Sequence, residues 1–183
     1  MTTAIQTRNQ RIPSGTYRID PVHSSARFEV EHGALSRFRG GFDEVSAELE
    51  AGPDGVRLSG AVAVASVDID QPDLRGHLLS PEFFDAERHP EIRFGSRELR
   101  IDGDGAVLAG SLEIRGESRP IEARGGVRGP GVGLDGSRRI ALELETTIDR
   151  RDYGLDWQLE LPSGEPVLGW DVTLTVTLEL VRD

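Results

Sequence analysis

Asp20-Pro21-Val22-His23-Ser24 gathers three catalytic residue types into five positions, with His32 nine residues beyond His23. In an acyl-transfer reading Ser24 is the nucleophile, His23 its base and Asp20 the group that orients the imidazole. Two features oppose it. Adjacent residues on a strand point to opposite faces, so His23 and Ser24 do not readily pair, and the glycines of a nucleophile elbow are absent. The same residues close turns through side-chain-to-backbone bonds, the commoner use of Asp and Ser.

Metal chemistry is the second candidate, through His23, His32, His77 and His89 with carboxylates such as Asp73 or Asp85. No histidine pair has the i, i+2 or i, i+4 spacing of a local site, so any centre must be assembled by the tertiary fold. His89, just before Pro90, is the weakest member. A third constellation is Arg150-Arg151-Asp152-Tyr153-Gly154-Leu155. Paired guanidinium groups suit an anionic head group such as a pyrophosphate. With 32 acidic side chains available, a salt-bridged edge is the commoner fate of either arginine.

The elements that must position these groups are strands. Ala26, Phe28, Val30 and His32 share one face of a period-two pattern, while Arg27, Glu29 and Glu31 share the other. Val45, Ala47 and Leu49 alternate with Glu44, Ser46, Glu48 and Glu50 in the same way. After the turn at 52–55 the run VRLSGAVAVASVDI reads as one long strand, whose Ala61, Ala63 and Ala65 leave room for close approach. In the last strand Val172, Leu174, Val176, Leu178 and Leu180 face inward against Thr173, Thr175, Thr177 and Glu179.

Turn signals fall at Asp102-Gly103-Asp104-Gly105, at the Gly-rich stretch 125–136, read as a hairpin tip, and at Pro162-Ser163-Gly164. Long strands joined by local turns predict an all-β, antiparallel up-and-down β-barrel of about eight strands. One segment breaks the pattern. Gln71-Pro72-Asp73-Leu74 opens a short helical insertion near residues 71–90. The stretch 75–96 also gathers Leu78, Leu79, Phe83, Phe84, Ile92 and Phe94 in a chain with six phenylalanines in all. It either plugs a barrel end or lines a cavity.

At 183 residues the chain suits one barrel domain over 13–183 behind a mobile polar lead-in over 1–12. A net charge of −11, with arginine as every basic residue, argues against nucleic acid, which needs a basic face. The absence of cysteine excludes disulfides, thiol catalysis and thiolate metal sites. No window approaches the ~20 apolar residues of a membrane span. The first residues lack an apolar stretch of signal-peptide length, so the expected location is cytoplasmic.

The segments GTYRIDPVHSSARFEVEH at 15–32, LSRFRGGF at 35–42, SVDID at 66–70 and RGHLLSPEFFDAERHPEIRF at 75–94 resemble the YceI-like family of polyisoprenoid-binding proteins. So do GSLEIRGESRPIEA at 110–123, IDRRDYGLDW at 148–157 and the terminal strand. The resemblance spans about residues 12–182 and is carried by the set and its order. It implies a lipocalin-like barrel around a long apolar tunnel that takes a polyisoprenoid or a related amphiphile: an isoprenoid quinone, a polyprenyl phosphate or a fatty amide. It further implies a homodimer and, in many members, a signal peptide that this sequence lacks.

The physics of the pattern agrees with that implication. An eight-stranded barrel is just wide enough for side chains or one slender ligand, and apolar burial at roughly 25 cal/mol per Å² would hold a prenyl chain without catalytic groups. The lining candidates are Phe28, Val30, Phe42, Val64, Leu78, Leu79, Phe83, Phe84, Phe94, Leu112, Ile114 and Leu144. His23, His32, Arg150 and Tyr153 are the head-group candidates. The leading expectation is a non-catalytic lipid carrier with no cofactor beyond its lipid. A histidine- or metal-dependent lipid-handling hydrolase is the alternative, and it requires two histidines, or a histidine and a carboxylate, to converge inside the pocket.

Overall fold

Period-two alternation gives every long strand one apolar face, and closing the sheet on itself is what buries all of those faces together. The computed structural model describes residues 12–183. Of the expected lead-in over 1–12, only Ile12 falls among these, and it is buried.

The strands are β1 (Gly15–Ile19), β2 (Ser25–His32), β3 (Ser36–Phe42), β4 (Val45–Gly52), β5 (Gly55–Ala63), β6 (Glu91–Asp102), β7 (Gly105–Ile114), β8 (Glu117–Val132), β9 (Arg138–Asp149) and β10 (Leu168–Arg182). All neighbours are antiparallel. β1 pairs with β4 and β2 with β3, so these four segments form one long hairpin interrupted halfway. β10 pairs with β9 on one side and with both β2 and β1 on the other, which closes an eight-strand up-and-down barrel.

Two sequence expectations change in detail. The strand read through Ile69 ends at Ala63, where Val64–Ser66 turn into a short 3₁₀ segment. Ser66 holds that turn: its hydroxyl donates to Ala63 O at 2.7 Å and accepts from Glu44 N at 3.0 Å. The Gly-rich stretch is mostly strand, with the hairpin tip confined to 133–137. Gly125 faces the backbone of Glu143 so closely that a side chain there would collide with it, which is a strand use of glycine.

Between β5 and β6 lies the single α-helix among the described residues, α1 (Pro72–Leu79). Gln71 caps it by accepting from Leu74 N, and Pro72 occupies its first turn, where a missing N–H costs nothing. Ser80 ends it, donating both N–H and Oγ–H to His77 O.

The buried apolar side chains fall into two clusters along the barrel axis. One, built on Tyr17, Leu49, Leu99, Leu108, Ile140, Leu142 and Leu180, fills one end. The other, built on Val64, Leu78, Phe83, Phe84, Ile114, Ile148, Tyr153 and Leu155, surrounds the opposite end beneath α1.

Candidate functional site

The second cluster is hollow. A cavity of about 210 Å³ lies under α1 and the turn that follows it. β2 and β3 supply Phe28, Val30, His32, Phe38 and Phe42 to its wall, and the helical insertion supplies Leu74, His77, Leu78, Phe83 and Phe84. The remaining wall comes from Ile92, Ile114, Ile148, Leu168, Val172 and Leu174 on strands and from Arg150, Leu155, Trp157 and Val167 on the segment joining β9 to β10. A second cavity of about 160 Å³ continues deeper, past Val45, Ala47, Leu58, Phe94, Leu112, Leu144 and Val176. Phe42, Ile92, Ile114 and Leu174 border both chambers.

Seven rings form a continuous arc over the upper chamber. Phe38 meets Phe28 at 6.1 Å, Phe28 meets Phe42 at 5.8 Å, and Phe42 meets Phe84 at 6.1 Å. The arc continues through Phe83 at 5.1 Å to His77 at 6.1 Å and ends on Trp157 at 4.8 Å. Tilted and edge-to-face geometries are those aromatic quadrupoles favour. The helical insertion is therefore both wall and roof, with space beneath it.

One cation enters this apolar wall. Arg150 is 1% exposed and donates to Gly169 O at 2.8 Å, Leu155 O at 2.5 Å, Trp157 O at 2.8 Å and Leu168 O at 3.3 Å. It also stacks on Trp170 at 4.2 Å, with Arg151 over the same indole at 4.7 Å. Burial draws its pKa below the ordinary guanidinium value. Its donors tie the irregular stretch at Leu155 and Trp157 to the start of β10 at Leu168 and Gly169, so its work is architectural. Tyr153 lies buried beside it, its phenol pushed up to about 12 by desolvation, and does not border either chamber.

The remaining sequence candidates separate cleanly. Phe28, Val30, Phe42, Leu78, Phe83, Phe84 and Ile114 border the upper chamber, and Phe94, Leu112 and Leu144 the deeper one. Val64 is buried in the surrounding core and Leu79 packs against it from outside, neither bordering a chamber. His32 is exposed at the upper chamber's edge.

His23 lies on the outer surface, away from both chambers, with its Nδ1 3.0 Å from Asp20 Oδ2. Arg139 sits between Asp20 and Glu179 at 2.7 Å from each, where the guanidinium already neutralises the carboxylates that flank His23. Ser24 Oγ accepts from Glu179 N at 3.0 Å, so Ser24 splices the β1–β2 break to β10 rather than meeting His23.

His77 and Trp157 were not among the lining candidates, yet both form wall, as do Ile148, Leu155, Val172 and Leu174. The inward face of β10 was legible by alternation and would have supplied Val172 and Leu174. Nothing local marks His77, which reaches the chamber only through the docking of α1. No described helix is long and apolar enough to cross a membrane.

The comparisons agree with this architecture. A UPF0312 protein of Pectobacterium atrosepticum is 27% identical over 163 residues, covering 87% of this chain and 82% of its own. The crystal structure of Burkholderia cenocepacia BcnA aligns with a TM-score of 0.71 at 17% identity, over 90% of this chain and 99% of that one. A polyisoprenoid binding domain from Saccharophagus degradans, implicated in plant cell wall breakdown, aligns at 0.70 with 16% identity over 91% and 98%. At such identities the solved structures speak for the fold, while the sequence profile of the YceI-like domain matches residues 17–180 and places the chain in the YceI-like family.

Proposed function

We propose that this protein is a non-catalytic carrier that holds a polyisoprenoid, or a related long-chain amphiphile such as an isoprenoid quinone, polyprenyl phosphate or fatty amide, along the barrel axis. The observation that carries the reading is the pair of adjoining apolar chambers, which share Phe42, Ile92, Ile114 and Leu174. A slender hydrocarbon threaded through both would lose water contact along its length, at roughly 25 cal/mol per Å² of apolar surface. The Saccharophagus degradans neighbour, described as polyisoprenoid-binding, has the same fold.

A hydrolytic reading finds less support. His32 and His77 both border the upper chamber, but His32 lies at its exposed edge, the carboxylate nearest His77, Glu82 at 3.5 Å, is largely exposed and outside the wall, and no carboxylate or hydroxyl side chain among the described residues lines the chamber. Asp20, His23 and Ser24 lie elsewhere and are committed to one another's turn and to Glu179.

The test is organic extraction of the purified protein followed by mass spectrometry. Stoichiometric long-chain lipid is the expected result. A preparation that carries none, and takes up no prenyl alcohol, quinone or fatty amide on titration, overturns the reading. The homodimer implied by the family resemblance is checked by sedimentation velocity on the same material.

A further inference from the structure

The upper chamber has one polar atom with an unmet requirement. His77 Nε2 is shut off from water and has no hydrogen-bond partner among the described residues. Its ring forms part of the chamber wall, between Phe83 and the edge-to-face indole of Trp157. A dry, unbonded imidazole nitrogen is a standing cost in a folded protein, tolerated most readily where a ligand relieves it. The other edge of the ring is placed differently. Nδ1 lies 3.5 Å from the carboxylate of Glu82, which is itself largely exposed. With hydrogen on Nδ1, towards the Glu82 carboxylate, Nε2 carries the ring's lone pair and is an acceptor.

From this we infer that His77 is the ligand-binding residue for the polar end of the cargo, and that this end is an uncharged hydrogen-bond donor, a hydroxyl or an amide N–H. The inference rests on the carrier reading and narrows its ligand class. An anionic head group fits poorly. Arg150, the only arginine of the chamber wall among the described residues, directs its donors to four main-chain carbonyls. Apart from His32 at the exposed edge, every other side chain of the wall is apolar or the indole of Trp157. A phosphate placed there would give up its hydration without a matching set of donors. A single hydroxyl gives up far less and meets one acceptor. Nε2 is closed off in the unliganded chamber, so a ligand reaches it only by moving a neighbouring ring, and the indole of Trp157, 4.8 Å from the imidazole, is the reporter of that movement.

The experiment titrates the protein with a prenyl alcohol, its methyl ether and its monophosphate, all of one chain length, reading Trp157 emission in a Trp170→Phe background. The alcohol is expected to bind about tenfold more tightly than the ether, the equivalent of ~1.4 kcal/mol, and more tightly than the monophosphate. His77→Phe should erase the alcohol's advantage over the ether, and His77→Gln, which keeps an acceptor, should restore most of it. If His77→Phe does not fold, the ranking in the parent protein decides alone. Tightest binding of the monophosphate, equal binding of all three, or an alcohol preference that survives in folded His77→Phe overturns the inference while leaving the carrier intact. Binding of none of them overturns the carrier reading, and this inference with it.

Discussion

From the floor of the deeper chamber, which Leu58, Leu108 and Leu178 form, down to the closed end of the barrel, neighbouring strands oppose large side chains at the same level: Leu49 faces Leu58, Leu99 faces Leu108, and Leu178 faces Leu142. Two steps along the same β4–β5 pair, Ala47 faces Gly60, and on β2–β3 Phe28 faces Gly40. Both ends obey the same inward–outward alternation, so the backbone does not distinguish them. The difference is side-chain volume at matched register. Large opposite large leaves Leu49, Leu142 and Leu180 with no accessible surface, whereas Ala47 opposite Gly60 leaves a chamber. What covers the open end differs in kind as well: an inserted helix with an aromatic arc, and an irregular segment held by a buried arginine. The closed end is stabilised by filling, the open end by a frame around a space.

If the frame reading holds, the largest effect belongs to Arg150. Arg150→Met keeps the apolar stem but strips four carbonyls of their donor, and each buried acceptor left unsatisfied costs roughly 1–3 kcal/mol. Urea denaturation should register that loss, and a change below about 1 kcal/mol would show that the 155–169 segment holds without it.

Paired truncations probe the comparison directly. Leu142→Ala in the filled end should cost roughly 3–4 kcal/mol, because a well-packed site relaxes little around a new void. Leu174→Ala, on a wall already facing space, should cost about 1–2 kcal/mol, since fewer contacts exist to lose. Equal losses would mean that the chamber is occupied by packing in solution. The opposite manoeuvre is Ala47→Trp, which places a large ring in the deeper chamber. Because it fills existing space, its cost should stay within the roughly 1–3 kcal/mol of small-to-large core changes, while long-chain ligands lose affinity and short ones do not.

Much of this contrast was readable from residue order and some was not. Alternation gave the inward faces of β2, β4 and β10, and the bulky cluster at 75–94 marked the roof. The register that sets Ala47 against Gly60 was not legible, because it depends on the length of the 52–55 turn and not on either strand alone. Arg150 illustrates a different limit. Its pairing with Arg151 suggested an anion site, but its partners are carbonyls at 155, 157, 168 and 169, which carry no side-chain signal. His77 shows a third, since its place in the wall follows from how α1 docks. Val64 marks the reverse error of a period-two pattern carried one residue beyond the strand's end.

The smallest expected effects are in pH dependence. On the outside of the closed half, hydrogen bonds from His23 and Arg139 hold the Asp20 carboxyl at about 2. A carboxylate whose folded pKa lies below its unfolded value, about 3.9, stabilises the fold above pH ~4, and that contribution is lost as pH falls through about 2. His23 is shifted upward by the same contact. Its contribution is complete below about pH 6.5 and fades as pH rises through its folded pKa. At the open half, Tyr153 is raised to about 12 by burial. The fold there favours the neutral phenol, so stability should fall as pH climbs beyond about 10, where the unfolded chain begins to ionise. Melting temperatures recorded across pH should therefore separate two arms. Arg139→Gln is expected to flatten the acid arm, because Asp20 loses one of its two principal partners, and to leave the alkaline arm in place. Tyr153→Phe should weaken the alkaline arm, part of which is kept by Tyr17, another phenol raised by burial, and leave the acid arm in place. An acid arm unchanged in Arg139→Gln would mean that the surface clasp contributes nothing to the closed end, whose stability would then rest on its leucines alone.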